Sequence, residues 1–218
     1  MSKTIVISDT HGKSIKEIYL RFNELDTKYD NIVLLGDYVD NFDTKISGRE
    51  QIRHFQEIIE IAKKDNRVHL LIGNHDLMYI VGYIPPYRGF QKEYANDIAK
   101  LINENIELFN IVWKGNKYTY SHAGISKKFM ELNEYKDIEE INQAFKEKRY
   151  SKFEVYDERV EDWERYTPTM MRFDTLCKDY WCENQIVGHT ELPCITIEEG
   201  NIWCIETFEH GNMVIATE

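Results

Sequence analysis

The sequence has few prolines and glycines and no long apolar run. Its 218 residues include 4 prolines and 11 glycines, and no Pro/Gly/Ser-rich stretch divides them, so we expect a single domain over residues 1–218. No apolar run approaches the roughly 20 residues that a membrane-spanning helix needs. No positively charged start followed by an apolar stretch and a cleavage site precedes the strand-like residues 4–7. We therefore expect a cytoplasmic protein without a membrane partner.

Cysteine and positive charge are also scarce. The 4 cysteines contain no C-x-x-C pair, which argues against a zinc ribbon and favours reduced, partly buried thiols. With 27 basic against 38 acidic residues, the formal net charge is -11. A chain of this charge repels polyanions, so we do not expect non-specific nucleic-acid binding.

The first half of the chain alternates strand-like and helical patterns. The predicted order is β-α-β-α-β, with strands at residues 4–8, 31–35 and 68–72 and helices at residues 14–28 and 47–64. This order favours parallel neighbouring strands, and the loops at their C-terminal ends are the usual place for an active site. Asp9, Asp37 and Asn74 each follow one of these strands. We therefore expect these three side chains to meet at one edge of a sheet.

The second half of the chain has a different pattern. Residues 109–114 and 117–121 predict a hairpin across the Gly115-Asn116 turn. The charged and aromatic stretch at about 127–180, with a helix around 138–148, predicts a helical cap or insertion. We expect an antiparallel meander to complete a second sheet after it, from short runs at residues 185–187, 194–198, 202–207 and 213–217.

Five short motifs at the ends of apolar stretches contain metal-ligand and proton-transfer residues. In chain order they are Ser8-Asp9-Thr10-His11-Gly12, Gly36-Asp37-Tyr38-Val39-Asp40, Gly73-Asn74-His75-Asp76, His122-Ala123-Gly124 and Gly188-His189-Thr190. Asp, His and Asn side chains together suit hard or borderline divalent ions. Because two such ions close together activate a water and clamp a phosphate, the motifs predict a two-metal phosphoesterase.

These motifs, which span residues 9–190, resemble those of the calcineurin-like metallophosphoesterase superfamily, and most closely its phosphoprotein phosphatase branch. The resemblance implies an α/β fold in which a central β-sandwich of mixed sheets is flanked by helices, with the metals at the strand ends. It also implies two divalent ions as cofactors. Manganese is the favoured occupant, and iron or zinc is also compatible with nitrogen and oxygen ligands.

The resemblance implies a role for each of eight residues. Carried over residue by residue, the metal ligands are Asp9 and His11 for the first ion, Asp37 as the bridge, and Asn74, His122 and His189 for the second ion. The implied reaction is in-line attack on phosphorus by a metal-bridging hydroxide. His75 is the implied general acid, and Asp40 holds its imidazole in the correct tautomer. Asp76 is expected to cap the following helix.

Two positions depart from the family pattern. The phosphatase branch has Arg-Gly after the last aspartate of the second motif, where this chain has Asn41-Phe42. A phosphate-binding arginine is therefore missing from its usual place. Its candidate replacements are Arg49, Arg88, Arg159, Arg165 and Arg172. Other branches have a second histidine two positions after the Gly-His pair, where this chain has Glu191, and we expect a surface or supporting role for it.

The motifs leave the substrate open. We expect a phosphorylated protein or nucleotide, and hydrolysis of a phosphomonoester, as in serine/threonine protein phosphatases, is the first hypothesis. The segments at residues 73–76 and 122–125 also resemble bacterial diadenosine tetraphosphate hydrolases, which makes cleavage of a phosphoanhydride the second. A nucleotide phosphodiesterase and an inactive binding or scaffold protein are further alternatives. The aromatic residues at 150–180 are compatible with core packing or with stacking on a base.

Overall fold

The computed structural model describes residues 2–24, 29–42, 45–82, 88–153, 166–207 and 212–218. The strands within them are β1 (Lys3–Ile7), β2 (Asn31–Leu34), β3 (Val68–Leu71), β4 (Phe109–Asn110), β5 (Val112–Lys114), β6 (Thr119–Ser121), β7 (Gln185–Val187), β8 (Thr196–Glu198), β9 (Ile202–Cys204) and β10 (Met213–Thr217). The α-helices are α1 (Lys16–Glu24), α2 (Gly48–Lys64), α3 (Asn74–Val81), α4 (Ala95–Glu104), α5 (Lys127–Asn133), α6 (Ile138–Lys146) and α7 (Phe173–Asp179). Short 3-10 helices lie at Lys92–Tyr94, Ile106–Leu108 and Tyr150–Phe153.

The first sheet has the strand order β10-β1-β2-β3-β4. Strands β1 to β4 run parallel, and β10 pairs antiparallel with β1. The register aligns Ile5 with Ile32 and Ile32 with Val68, so β1, β2 and β3 end at the same edge. The predicted β-α-β-α-β order is confirmed, although the predicted end of the first helix at residues 25–28 lies outside the described residues.

The second sheet has the strand order β5-β6-β7-β9-β8 and is mixed. Strand β7 pairs in parallel with both β6 and β9, whereas β5 and β8 pair antiparallel with their neighbours. The expected antiparallel meander is therefore wrong. The long helical connection between β6 and β7 permits a parallel crossover, and residues 213–217 leave this sheet to pair with β1 in the first.

The expected hairpin at residues 109–121 is also wrong in its first strand. Residues 109–114 split at Ile111, with β4 in the first sheet and β5 in the second. The Asn142 side-chain oxygen accepts hydrogen bonds from the Ile111 and Val112 amides, at 2.9 and 3.1 Å. Since α6 supplies this asparagine from a distant part of the chain, a local pattern could not predict the break.

The alternating direction of side chains along the strands of the first sheet explains why the core lies in two layers. Val6, Val33 and Leu71 point into a cluster shared with Tyr120 and Ile186 of the second sheet. Their strand neighbours Ile5, Ile7, Ile32, Leu34 and Leu70 point to the other face, into the larger cluster. Successive side chains of a strand point to opposite faces, so one sequence buries two surfaces. The result is the predicted β-sandwich of mixed sheets flanked by helices.

Helix α2 shows how the sequence covers the outer face. The Ser47 side chain accepts a hydrogen bond from the Glu50 amide, at 3.3 Å, and caps the helix at its predicted start. Phe55, Ile58 and Ile59 are 0–1% exposed and belong to the larger cluster. Each such side chain contributes about 1.5–3 kcal/mol by its burial, which fixes the helix against the sheet.

The segment predicted as a cap or insertion at about 127–180 is helical where it is described, in α5, α6 and α7. The rings of Phe129, Phe145 and Phe153 are 0–1% exposed and lie in the larger cluster. Of the aromatic residues at 150–180 considered for stacking on a base, Phe153 is therefore part of the core. Tyr156 and Trp163 of the same set lie outside the described residues.

Two expectations from composition concern thiols and membranes. All 4 cysteines are free, and Cys204 is buried whereas Cys194 is exposed, as expected for reduced thiols. Among the described helices, none combines the length and apolar character needed to cross a membrane.

Candidate metal centre

The six predicted metal ligands all follow strands whose C-terminal ends point to the same side of the sandwich. In the first sheet Asp9 and His11 follow β1, Asp37 follows β2 and Asn74 follows β3; in the second sheet His122 follows β6 and His189 follows β7. Residues 180 positions apart meet here, because the His189 amide donates a hydrogen bond to Asp9 Oδ2 at 3.1 Å. The site therefore lies where the two sheets meet.

Three of these ligands approach within metal-binding range of each other. One donor atom from each of Asp9, Asp37 and His122 lies within 4.8 Å of the other two, and all three residues are buried. His122 Nε2 lies 3.6 Å from Asp37 Oδ2. Two carboxylates and an imidazole without competing solvent form a donor set that suits a divalent ion.

Lone pairs converge between His122, His189 and Asn74. The Nδ1 of His122 lies 3.0 Å from the Leu35 carbonyl and the Nε2 of His189 lies 3.1 Å from the Met170 carbonyl. A carbonyl only accepts, so these two nitrogens carry the protons and the other two ring nitrogens present lone pairs. His122 Nε2 and His189 Nδ1 lie 3.1 Å apart. They lie 2.9 and 3.0 Å, respectively, from Asn74 Oδ1. Three acceptors at this separation repel each other unless a cation lies between them.

Burial keeps both histidines neutral. Burial and the neighbouring His189 hold the pKa of His122 well below its usual value, and burial and the charge of Arg172 lower the pKa of His189 to about 3. A metal ion binds the neutral imidazole. At neutral pH these side chains are therefore ready to bind an ion without first losing a proton.

Asp37 lies between the residues predicted to hold the two ions. Its Oδ1 accepts a hydrogen bond from the His75 amide at 2.9 Å. Its Oδ2 lies 3.9 Å from His11 Nε2 and 3.6 Å from His122 Nε2, between the proposed ligands of the two ions. His11 Nδ1 lies 3.2 Å from the Val39 carbonyl, which places the ring proton on Nδ1 and the lone pair on Nε2.

Buried carboxyl groups would give the site an excess of negative charge when they are ionised. Burial is the main cause that raises the pKa of Asp9 well above its usual value, with repulsion from Glu206 next, and burial and Asp9 do the same for Asp37. Ionised carboxylates this close are costly without a cation. The donor set thus fits bound divalent ions both in its atoms and in its charge.

His75 and Asp40 form the predicted pair. His75 Nδ1 lies 2.7 Å from Asp40 Oδ2, and the Tyr79 hydroxyl donates to the other carboxylate oxygen. Asp40 is fully buried, whereas His75 is 8% exposed and lines the cavity. The carboxylate therefore fixes a ring proton on Nδ1 of His75.

Backbone conformation in the site is unusual. His11, Asp37, Asp40 and His189 have φ values of 42, 54, 70 and 63°, in the left-handed region. Each such residue costs on the order of 1 kcal/mol, and such conformations cluster at functional sites. Asp76 supports the turn at Asp37, because its carboxylate accepts hydrogen bonds from the amides of Asp37, Tyr38 and Gly73 at 2.7, 3.0 and 2.9 Å. The contact with Gly73, at the start of α3, is the capping role predicted for Asp76.

A cavity of about 430 Å³ opens over these ligands. Of the candidate arginines, Arg88 and Arg172 line it and Arg49 does not, while Arg159 and Arg165 lie outside the described residues. Asn41 does not reach it, because its side chain donates to the His11 carbonyl at 2.9 Å. Glu191 lines the cavity wall.

Glu206 was missed by sequence reasoning. It is 1% exposed and lines the same cavity. The register pairs Val187 with Cys204, so Glu206 follows β9 as His189 follows β7. The pattern had predicted a strand through residue 207, whereas β9 ends at Cys204. An acidic residue two positions after a strand end, like His189, is the signal that could have identified it.

Comparisons with known proteins match most of the chain. The family model for calcineurin-like phosphoesterases matches residues 2–193. A symmetrical bis(5'-nucleosyl)-tetraphosphatase from Buchnera aphidicola subsp. Schizaphis graminum is 26% identical over 171 residues, which cover 72% of this chain. The chain spans 58% of the length of that relative.

Solved structures share the fold at low identity. A cold-active protein-tyrosine phosphatase of a psychrophilic Shewanella species superposes with a TM-score of 0.66 and 18% identity over 99% of this chain and 75% of that chain. A protein serine/threonine phosphatase from Saccharomyces cerevisiae has a TM-score of 0.53 and 14% identity over 94% of this chain and 67% of that chain.

Proposed function

Since the chain belongs to the calcineurin-like phosphoesterase family, we propose that it is a two-metal phosphoesterase that hydrolyses phosphomonoesters. The observation that carries this proposal is the convergence of acceptors at the sheet edge. His122 Nε2, His189 Nδ1 and Asn74 Oδ1 lie 2.9–3.1 Å apart with both ring protons committed elsewhere. A bound cation would stabilise this cluster, whereas without one its three acceptor atoms repel each other.

The ligands divide into two sets. Asp9, His11 and Asp37 would hold the first ion, and Asn74, His122 and His189 would hold the second, with Asp37 as the proposed shared ligand. Manganese is the proposed occupant, and the same nitrogen and oxygen donors accept iron or zinc. When bound, two divalent ions supply an activated water and positive charge for the phosphoryl oxygens.

His75 and Asp40 supply the proton. With Nδ1 held by Asp40 at 2.7 Å, the Nε2 of a protonated His75 faces the cavity and protonates the leaving oxygen as the phosphorus–oxygen bond breaks. Asp40 fixes the tautomer and stabilises the charged imidazole. Tyr79 donates to Asp40 and so keeps the carboxylate oriented.

Cleavage of a phosphoanhydride is the second candidate. The Buchnera relative is named as a dinucleoside tetraphosphatase, and Arg88 adds a positive charge to the cavity wall. The same ligands and the same proton donor serve both reactions, since each breaks a phosphorus–oxygen bond. The two candidates differ in the leaving group, which is an alcohol in one and a phosphate in the other.

Manganese-loaded protein tested on four probes separates these functions. The probes are an aryl phosphomonoester, an aryl phosphodiester, a phosphoserine peptide and diadenosine tetraphosphate. We expect chelator-sensitive hydrolysis, with the peptide or the dinucleotide preferred over the diester. A preference for the diester would replace the proposal by a phosphodiesterase, and no hydrolysis of any probe would favour a binding or scaffold protein.

A matched pair of histidine variants tests the metal site itself. His122→Ala removes a proposed ligand, whereas His69→Ala removes a half-buried histidine that stacks on Trp113 in the sheet, 4.2 Å between ring centroids. We expect the first variant alone to lose manganese binding and hydrolysis. Equal behaviour of the two variants would contradict the assignment of His122.

A further inference from the structure

Arg88 is an exposed cation on the wall of the proposed metal cavity. We propose that Arg88 determines specificity by binding an anionic leaving group, so that this site favours phosphoanhydrides over phosphomonoesters, while Arg172 binds the phosphoryl group that reacts. This inference rests on the proposed two-metal phosphoesterase and selects the second of its two candidate substrate classes. The ligand chemistry is a chain of two or more phosphates.

Both guanidinium groups are free to bind a substrate. Within the described part of the chain, neither the Arg88 nor the Arg172 guanidinium group forms a hydrogen bond or an ion pair, although Glu191 and Glu206 line the same cavity. By contrast, the Arg67 guanidinium group pairs with Asp65 at 2.7 Å. Two unpaired guanidinium groups beside an anionic cavity are suited to recruit an anion.

The position of Arg88 places it on the side of the leaving group. Its guanidinium carbon lies 5.5 Å from the centre of the Phe42 ring. The Phe42 ring in turn contacts His11 and His75, at 4.4 and 5.8 Å between ring centroids. Because His75 protonates the leaving oxygen, a charge held next to the His75 side of the cavity meets the leaving group.

Arg172 lines the same cavity from a different element, since it directly precedes α7. The amide of the next residue, Phe173, donates to Thr190 Oγ1 at 3.0 Å, which places this segment beside His189 of the second set of ligands. Positive charge from two elements of the cavity wall fits a phosphate chain better than a single phosphoryl group. A serine or threonine leaving group carries no charge for Arg88 to bind.

Phe42 explains how the missing arginine is replaced. Asn41 occupies the usual arginine position, but its side chain is committed to the His11 carbonyl and its amide donates to Gln51 Oε1 at 3.1 Å. The next residue, Phe42, turns its ring to the cavity and supports Arg88 by a cation–π contact. The positive charge is thus supplied from a distant segment.

The reaction balances with water as the only co-reactant. The water oxygen forms a bond to phosphorus, the anhydride phosphorus–oxygen bond breaks, and the electron pair goes to the leaving phosphate. His75 supplies a proton to that oxygen, and the proton from the attacking water returns to the site. Arg88 forms and breaks no covalent bond; it neutralises charge on the leaving phosphate.

The test compares Arg88→Ala with wild type on diadenosine tetraphosphate and on a phosphoserine peptide, whose leaving serine hydroxyl carries no charge. Loss of one charge-assisted hydrogen bond predicts a fall in kcat/KM for the dinucleotide of about 10- to 100-fold. For the phosphoserine peptide we expect a fall of less than about 3-fold, since its leaving group has no charge for Arg88 to bind. Arg172→Ala should lower kcat/KM for both substrates.

Two further variants exclude a merely structural effect. Arg88→Lys keeps the charge and should restore part of the dinucleotide activity. Arg53→Ala removes an exposed arginine of α2 that pairs with Glu50 at 3.4 Å, and should change neither substrate. A manganese titration of each variant checks that the metal ligands are intact.

The outcomes separate this inference from the proposed function. If wild type hydrolyses the phosphoserine peptide but not the dinucleotide, or if Arg88→Ala lowers both activities equally, the inference is wrong and the metal-dependent esterase stands. If wild type hydrolyses neither substrate with metal bound, the proposed function fails and the inference fails with it.

Discussion

A methyl group at Gly188 would collide with a proposed metal ligand. A Cβ built at this position lies 2.2 Å from Asp9 Oδ1, while its next neighbours, Asp9 Cγ and Leu35 Cδ1, are 3.3 and 3.6 Å away. An ordinary contact requires about 3.4 Å, so in Gly188→Ala the carboxylate oxygen must move by about 1 Å. The φ angle of Gly188 is outside the left-handed region, so alanine does not strain the backbone.

The variant should therefore lose metal affinity with little loss of stability. Displacement of a positioned group by about 1 Å costs up to roughly 100-fold, so we expect manganese to bind about 10- to 100-fold more weakly. This corresponds to about 1.4–2.7 kcal/mol of binding free energy. The atom that moves is the end of a side chain, so the free energy of unfolding without metal should change by less than about 1 kcal/mol.

Isothermal titration of chelator-treated protein with manganese measures this effect, and denaturant unfolding without metal measures stability. Gly82→Ala is the matched control. Gly82 has φ 77° and no atom within 4 Å of a built Cβ, so alanine there should cost about 1 kcal/mol of stability and leave manganese affinity unchanged. If Gly188→Ala binds manganese as tightly as wild type, Asp9 is not a ligand as positioned here.

Three further predictions concern the same centre. Asp37→Ala removes the shared carboxylate and should abolish metal-dependent hydrolysis, measured against wild type at saturating manganese; retained turnover would contradict the bridging role. His75→Ala should keep manganese bound but cut turnover by about 100-fold or more, and loss of metal instead would show that His75 is a ligand. Burial, with repulsion from neighbouring carboxylates, raises the pKa values of Asp9 and Asp37 in metal-free protein, so manganese affinity should rise, with proton release, as the pH increases above the usual pKa range of an aspartate. The folded metal-free state then binds more protons than the unfolded chain, so its stability should fall as the pH rises through that region; a rise in metal-free stability with pH, or flat affinity, would count against these carboxyl groups.

The sequence predicted the first sheet and its edge well because both depend on local patterns. A buried strand followed by aspartate or asparagine is visible in a few residues, and the parallel order then follows from alternating strands and helices. The five motifs therefore predicted which side chains the structure brings together at residues 9–189. The capping of α2 by Ser47 was predictable for the same reason, since a cap is local to the helix it begins.

Features that depend on distant contacts were not predictable. The break at Ile111 requires Asn142 from α6, and the pairing of β10 with β1 joins the two ends of the described chain. The sequence did not identify Glu206 as a cavity residue, because β9 ends earlier than the apolar pattern predicts. Five arginines were equivalent in the sequence, and Arg88 and Arg172 became distinct when the fold placed them on one cavity.

The division of ligands between the two sheets has a mechanical consequence. Asp9, Asp37 and Asn74 belong to the first sheet, and His122 and His189 belong to the second. An ion bound by both sets would cross-link the two sheets, so the sheets could not slide or separate at this end until the ion dissociated. Dissociation of the ion would then limit the rate at which the two sheets separate under force or in denaturant.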